Sequence, residues 1–225
     1  MDVSIFSVLG PVMIGPSSSH TAGAVKLARV ARLIAAKPFE HVSFGLHGSF
    51  SETYRGHGTD KALVAGALGL HEDDERLVDA FSLAEQAGLT FAFYPLELND
   101  VHENSVKITF FHTDGTKQEV VGSSIGGGQI IISRVGNFEV EFSAENPTLV
   151  VCQHDRKGTV TEVSRVLAEN NINIAIMRLS RRARGDIAFC IIETDSIISE
   201  EIVAEIEALQ NVISVQAVNI GGGEE

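Results

Sequence analysis

The strongest constraint on the fold is the regular alternation of strand-like and helix-like segments after Pro147. Runs of β-branched residues and period-two alternation predict strands, and apolar residues three and four apart predict helices. The predicted strands are Thr148–Cys152, Ile172–Leu179, Ile187–Thr194 and Val212–Ile220, and the predicted helices are Val160–Glu169 and Glu200–Leu209. The order is strand, helix, strand, strand, helix, strand.

That order is the split βαβ, or ferredoxin-like, plan. Pro147 lacks the N–H that a central strand needs, so we place a domain boundary there. The sequence therefore predicts two domains, one over residues 1–147 and one over residues 148–225. The overall fold class is α+β.

The first 147 residues predict a less regular α+β domain. A helix is expected from about Thr21 to Ala36, mostly apolar and therefore packed on most sides. The spacing of Ser49 and Glu52 matches a capping box that opens a short helix. Asp114 and Gly115 lie between two strand-like runs and predict a hairpin turn.

Composition excludes several classes of function. The chain has 17 basic and 30 acidic residues and a formal charge of −13, so it lacks the clustered positive charge of a nucleic-acid binder. Its two cysteines, Cys152 and Cys190, are too few for a disulfide framework or for a cysteine-built metal site in this chain alone. No apolar run approaches the ~20 residues of a membrane span, and the N-terminus lacks the basic start of a signal peptide. We therefore expect a cytoplasmic protein without a membrane contact.

The segment Gly15–Gly23 concentrates hydroxyls at the start of a predicted helix. It contains Ser17, Ser18, Ser19, His20 and Thr21. Unpaired N–H groups at a helix start favour anions, and serine hydroxyls add further donors for a carboxylate or phosphate. An ordinary helix cap is the alternative, although one serine suffices for that.

Two more segments are candidates for chemistry. His57 is bracketed by Gly56 and Gly58 just before Thr59, where it is either a presented proton acceptor or a surface-loop histidine. The triplet His102–Asn104 and the glycines Gly126, Gly127 and Gly128 offer polar groups and exposed backbone N–H groups to a small ligand. A plain bulged turn is the alternative for the glycines.

Five ordered motifs together resemble the iron–sulfur-dependent L-serine dehydratases, specifically the beta subunit of their two-chain form. The motifs are Gly15–Thr21, Gly48–Ser49, Gly56–Asp60, His102–Asn104 and Ser124–Gly128. The resemblance implies that L-serine loses water and becomes pyruvate and ammonia, as in gluconeogenic amino-acid metabolism. It also implies a 4Fe–4S cluster whose cysteine ligands belong to a partner alpha subunit. Residues 148–225 resemble an ACT domain.

The resemblance also implies roles for single residues. His57 matches the candidate general base, and His20 matches a residue of acid–base support. The implied substrate-binding residues are Ser17, Ser18, Ser19, Thr21, Ser49, Thr59, His102, Asn104, Gly126, Gly127 and Gly128. In the ACT domain, Asp155 and Gly158 lie where such domains bind a regulatory amino acid.

Three alternatives follow from the same residues. The first is the beta subunit of a heteromeric L-serine dehydratase, which also self-associates through its ACT or N-terminal domain. The second is a non-catalytic subunit that binds serine only to regulate a partner enzyme. A stand-alone metal enzyme that uses clustered histidines is a distant third.

Overall fold

The computed structural model describes residues 13–220, and these form two compact units that divide between Gly136 and Asn137. The N-terminal residues, which the sequence predicts not to be a signal peptide, lie outside the described residues. The predicted boundary at Pro147 stays a prediction, because the strand Phe138–Phe142 belongs to the second unit by its contacts.

The first unit contains a mixed sheet whose strands run in the order β2-β1-β3-β4-β5. β1 and β2 are parallel, whereas β1–β3, β3–β4 and β4–β5 are antiparallel pairs. The strands are β1 (Phe39–Leu46), β2 (Thr90–Pro95), β3 (Ser105–His112), β4 (Lys117–Gly126) and β5 (Gln129–Val135).

Helices cover one face of this sheet. The first begins as a π-helical turn, Ser18–Gly23, and continues as α1 (Ala24–Ala35). The others in this unit are α2 (Gly48–Thr53), α3 (Thr59–Leu68), the 3₁₀ turn Glu75–Asp79 and α4 (Ala80–Gln86).

The helix α1 is buried on most sides, as its composition predicts. Eight of its residues are buried: Ala24, Val25, Leu27, Ala28, Val30, Ala31, Ile34 and Ala35. Leu27 reaches the sheet at Gly122, where a side chain would collide with the Leu27 methyl group at 2.6 Å. On another side Gly66 of α3 lets that helix approach the Val25 carbonyl oxygen.

The second unit begins with β6 (Phe138–Phe142) and then has the predicted βαββαβ order. Its four-stranded sheet has the order β10-β7-β9-β8, with antiparallel pairs throughout. The elements are β7 (Thr148–His154), α5 (Thr159–Glu169), β8 (Ile174–Arg181), β9 (Ile187–Thr194), α6 (Glu200–Glu207) and β10 (Val212–Val218). The expected α+β class and ferredoxin-like arrangement are therefore confirmed.

Some predictions for the first unit need correction. Ser49 is not a helix cap, because α2 begins at Gly48 with His47 before it and has no side-chain cap. The expected continuous helix from Thr21 starts earlier, with the π-helical turn at Ser18. Sequence patterning missed β2, an edge strand ending in Pro95 whose Phe93 stacks on Phe44 with ring centroids 5.0 Å apart.

Among residues 13–220, no helix is long and apolar enough to cross a bilayer.

The close packing of α1 on α3 depends on Gly66, and this yields a stability prediction. A Cβ at Gly66 would lie 2.3 Å from the Val25 carbonyl oxygen and 2.8 Å from the Ala28 Cβ. We expect Gly66→Ala to lower the free energy of unfolding by about 1–3 kcal/mol, because two backbones must separate. Urea denaturation followed by circular dichroism measures the change.

Gly56→Ala is the matched control. The nearest atom to a Cβ there would be the Thr53 carbonyl oxygen at 3.6 Å, an ordinary contact. Equal stability of the two variants would show that the helices do not need this close approach.

Candidate functional site

The π-helical turn Ser18–Gly23 forms the centre of the candidate site. Ser17 precedes it in an extended conformation, and its hydroxyl accepts the His20 backbone N–H at 3.1 Å. Ser18 and Ser19 follow at the start of the turn and are half-buried. Single π-helical turns within helices are common at functional sites because they displace side chains from the regular spacing.

This turn directs His20 toward two other motifs. The His20 Nε2 and the Ser49 hydroxyl oxygen are 3.1 Å apart. The His20 ring lies 4.7 Å from the His57 ring and meets the edge of Phe50 at 5.3 Å, measured between centroids. Three segments far apart in sequence thus meet at one imidazole.

Burial and charge both favour a neutral His20. Desolvation is the larger cause that lowers the His20 pKa below 6.5, and repulsion from a protonated His57 lowers it further. A neutral imidazole at neutral pH has one free lone pair, which is what a proton acceptor requires. The two rings therefore lie close enough for a charge on His57 to lower the pKa of His20.

His57 lies in the turn between α2 and α3 and is exposed. Gly58 has φ +70° and immediately precedes α3, so a residue with a side chain would be strained there. The Thr21 hydroxyl donates to the His57 carbonyl oxygen at 3.3 Å and is otherwise buried. Thr21 therefore holds the loop that carries His57. The predicted contact between Thr21 and the substrate stays a prediction.

The end of the sheet supplies a second wall. The Ser124 N–H donates to the Asn104 carbonyl oxygen at 2.9 Å, which extends the β3–β4 ladder by one pair beyond Ser105 and Ser123. The neighbouring Gly48 has φ +52°, and a Cβ on it would lie 2.6 Å from the Glu103 carbonyl oxygen. Gly48 thus lies beside Glu103, the residue before Asn104, and Asn104 is bonded to Ser124. We call these three residues, Gly48, Asn104 and Ser124, the end row.

Gly23 attaches the π-helical turn to the end row. A Cβ on Gly23 would lie 2.1 Å from the Ser124 hydroxyl oxygen, so only glycine permits this approach. Because Gly23 and His20 belong to the same turn, the contact also fixes the height of His20 above the sheet.

His102 shapes the turn that leads into β3. Its Nδ1 accepts the Asn104 backbone N–H at 3.1 Å, and its carbonyl oxygen accepts the Ser105 hydroxyl. A neutral His102 must therefore carry its proton on Nε2, since Nδ1 is an acceptor. The exposed Nε2–H is available as a donor to a carboxylate.

Three buried polar oxygen atoms of the motifs have no hydrogen-bond partner within the described part of the chain. They are Thr59 Oγ1, Asn104 Oδ1 and Ser124 Oγ. A buried unpaired polar group costs about 1–3 kcal/mol, so proteins seldom retain one without a ligand or water to satisfy it. Asn104 and Ser124 are linked by a backbone hydrogen bond, so two of these atoms belong to neighbouring residues, and their predicted role in ligand binding stays a prediction.

The glycine triplet has a conformational explanation. Gly126, Gly127 and Gly128 have φ of +105°, +61° and +78° and form the turn between β4 and β5. The register shifts between Ser124 and Gly126, so the turn begins with a bulge. A role for the three glycines in ligand binding stays a prediction.

The two predicted regulatory residues of the second unit also have structural roles. Asp155 Oδ2 accepts from Arg181 at 2.8 Å and from the Gly185 N–H at 2.9 Å, and these hydrogen bonds lower the pKa of Asp155. Gly158 has φ +93° and immediately precedes α5. Their predicted ligand role stays a prediction.

The cysteines do not fit an iron–sulfur cluster. Cys190 lies in the core between sheet and helices, and Cys152, opposite Phe189 in the register, faces the other side of the sheet. Burial raises the pKa of each thiol to about 11, whereas cluster ligands are thiolates. Within residues 13–220, no three His, Cys, Asp or Glu side chains converge on a possible metal position.

The first unit brings some of the predicted residues together. His20 contacts both Ser49 and His57, and Asn104 is linked to the same turn through Ser124 and Gly23. The sequence analysis did not assign Ser124, Gly23 or Phe50 to the site. Ser124 lies within a recognised motif, but only the strand register shows that it is opposite Asn104.

Comparison with known proteins agrees with this architecture. A family model described as serine dehydratase beta chain matches residues 4–88, and one described as ACT domain matches residues 148–211. The chain is 40% identical over 220 residues to the L-serine dehydratase, beta chain, of Peptoniphilus asaccharolyticus, covering 97% of this chain and 99% of that protein. It is 42% identical over 212 residues to the probable L-serine dehydratase, beta chain, of Bacillus subtilis, covering 94% and 96%.

A third relative is longer. The L-serine dehydratase of Haemophilus influenzae is 31% identical over 201 residues, which cover 79% of this chain but 42% of that protein.

Fold and site thus define an α+β protein in which a serine dehydratase beta-type region precedes an ACT domain. Near full-length identity of 40–42% shows that the chain belongs to the serine dehydratase beta-chain family. The resemblance given by the five motifs is therefore confirmed.

The contact between the two imidazoles yields a titration prediction. His57→Gln removes a positive charge beside His20, so the His20 pKa should rise toward 6.5 while staying below it, because burial remains. NMR titration of the histidine ring protons measures this. His41→Gln is the control, since His41 contacts Thr90 elsewhere on the sheet. A His20 pKa that does not move in the His57 variant would contradict electrostatic coupling.

Proposed function

We propose that this chain is the beta subunit of an L-serine dehydratase that converts L-serine to pyruvate and ammonia. The meeting of His20, Ser49 and His57 beside the end row carries this proposal, because it places proton acceptors next to unsatisfied polar atoms. The relatives covered almost end to end are named for this enzyme.

We also propose that the complete enzyme needs an alpha subunit. The two relatives that this chain matches over nearly their whole length are named beta chains. By contrast, this chain spans 42% of the Haemophilus influenzae protein that is named simply L-serine dehydratase. The remaining part of that longer protein corresponds to what a second polypeptide would supply here.

A 4Fe–4S cluster would belong to that partner. The raised thiol pKa values and opposite orientations of Cys152 and Cys190 support this assignment, because neither thiol suits a shared cluster. We assign departure of the serine hydroxyl to the partner chain and proton handling to this chain.

The residues of this chain would divide the handling of serine. Removal of the α-proton falls to the exposed His57, and His20, held by Ser49, packs against its ring. Loss of that proton and of the β-hydroxyl gives an aminoacrylate, which becomes an imine and hydrolyses to pyruvate and ammonia. The substrate carboxylate would accept from Ser18, Ser19 and the His102 Nε2–H.

The second unit would regulate the enzyme. The ACT domain match starts at residue 148, which supports the proposed boundary after Pro147. We keep Asp155 and Gly158 as the proposed regulatory site and propose self-association through the ACT or N-terminal domain. Cytoplasmic location remains part of the proposal.

Replacing His57 tests the catalytic role. In the anaerobic complex with the alpha subunit, His57→Ala should lower kcat for pyruvate formation about 10²- to 10⁴-fold, the usual contribution of a general base. Coupled detection of pyruvate measures the rate. His41→Ala should keep the wild-type rate, because that imidazole lies on the β1–β2 side of the sheet. Normal turnover by His57→Ala would reject His57 as base and favour a serine-sensing subunit.

Iron analysis tests where the cluster lies. The purified complex should contain iron and sulfide, and the double variant Cys152→Ala, Cys190→Ala should retain both in full, because neither thiol is a ligand. The isolated chain should carry no stoichiometric iron. Loss of iron from the complex of the double variant, with assembly intact by gel filtration, would contradict the assignment.

A further inference from the structure

Ser124 carries a buried hydroxyl for which residues 13–220 supply no hydrogen-bond partner. Its residue is 0% exposed, and its Oγ has no partner, although its backbone N–H is bonded to Asn104. The adjacent Ser123 is buried too, but its Oγ lies 2.7 Å from the Ser105 Oγ. The two serines lie on opposite faces of β4, and only Ser124 faces the helices.

The register brings Ser124 and Asn104 side by side. The β3–β4 register ends with Ser105 opposite Ser123, and the Ser124 N–H then donates to the Asn104 carbonyl oxygen, so the two residues are neighbours across the end of the ladder. Both side-chain oxygens are buried and unpartnered. A single small group between them could bond to both.

The chemistry of these atoms restricts what that group can be. An amide oxygen accepts hydrogen bonds and never donates them, so Asn104 Oδ1 requires a donor. Ser124 Oγ also has free lone pairs for a second donor. A ligand group with several N–H donors, such as an ammonium group, satisfies both atoms, whereas a carboxylate would be repelled by Asn104 Oδ1.

We propose that Ser124 and Asn104 together bind the α-ammonium group of the amino-acid substrate. This inference rests on the proposed function and deepens it, since it sets the orientation of serine. The ammonium end lies at the end row and the carboxylate end at Ser18 and Ser19. Ser124 is thereby a substrate-binding residue that determines specificity for an α-amino acid.

The close contact at Gly23 supports this role. The missing Cβ of Gly23 makes room for the Ser124 hydroxyl, which an alanine would displace. The adjacent buried hydroxyl of Ser123 is bonded, whereas that of Ser124 has no partner among the described residues. An unpaired one destabilises the ligand-free protein until a donor arrives.

Ser124→Ala in the complex with the alpha subunit tests the proposal through matched inhibitors. L-Alanine carries the ammonium group, and L-lactate has a hydroxyl in its place. We expect Ser124→Ala to raise the inhibition constant of L-alanine about tenfold, the value of one hydrogen bond to a charged group, and to leave that of L-lactate nearly unchanged. The KM for L-serine should rise by a similar factor.

Thermal unfolding of the ligand-free chain separates binding from structure. Ser124→Ala should unfold at the wild-type temperature or above it, because an unsatisfied hydroxyl is removed. Ser123→Ala is the control, and it should unfold at a lower temperature because the Ser105 hydroxyl loses one of its two hydrogen-bond partners, without altering the ratio of the two inhibition constants.

The outcomes distinguish a failure of the proposed serine dehydratase function from a failure of the proposed ammonium site. A wild-type complex that makes no pyruvate from L-serine would overturn the proposed function. An active wild-type complex in which Ser124→Ala weakens both inhibitors equally, or neither, would overturn the ammonium site alone. A lowered unfolding temperature without any change in inhibitor ratio would assign Ser124 to structure and reject the proposal.

Discussion

The contact of Gly23 with Ser124 is the constraint on which the rest of the candidate site depends. A single absent Cβ lets the π-helical turn approach the end of the sheet until backbone and hydroxyl touch. Because the same turn carries His20, this approach also sets the position of the imidazole beside Ser49 and His57. The strand register then places Asn104 next to Ser124, so separate motifs share one small region.

The electrostatics of this region follow from its burial. Partial desolvation lowers the pKa of His20, and a neighbouring imidazole adds to the effect. Both causes favour the neutral imidazole of His20, which keeps a lone pair available to accept a proton.

The division of labour with a partner subunit is consistent with the thiols of this chain. Both cysteines lie in strands of the second unit, where burial keeps them protonated. The second unit is built around an apolar core between its sheet and two helices. The histidines and hydroxyls on which the proposed function rests all lie in the first unit.

The sequence by itself determined the second unit almost completely, because period-two and helical patterns there are short, clean and separated by turn residues. The order and residue types of the five motifs also identified which segments belong to the candidate site. The structure alone decided that Ser49 bonds His20 and does not cap its helix, that Thr21 holds the His57 loop, and that Ser124 is opposite Asn104. These are contacts between residues 20 to 36 positions apart, and local pattern carries no information about register or approach distance. The edge strand Thr90–Pro95 escaped detection for a similar reason, since it is half-exposed and is defined by its partner β1.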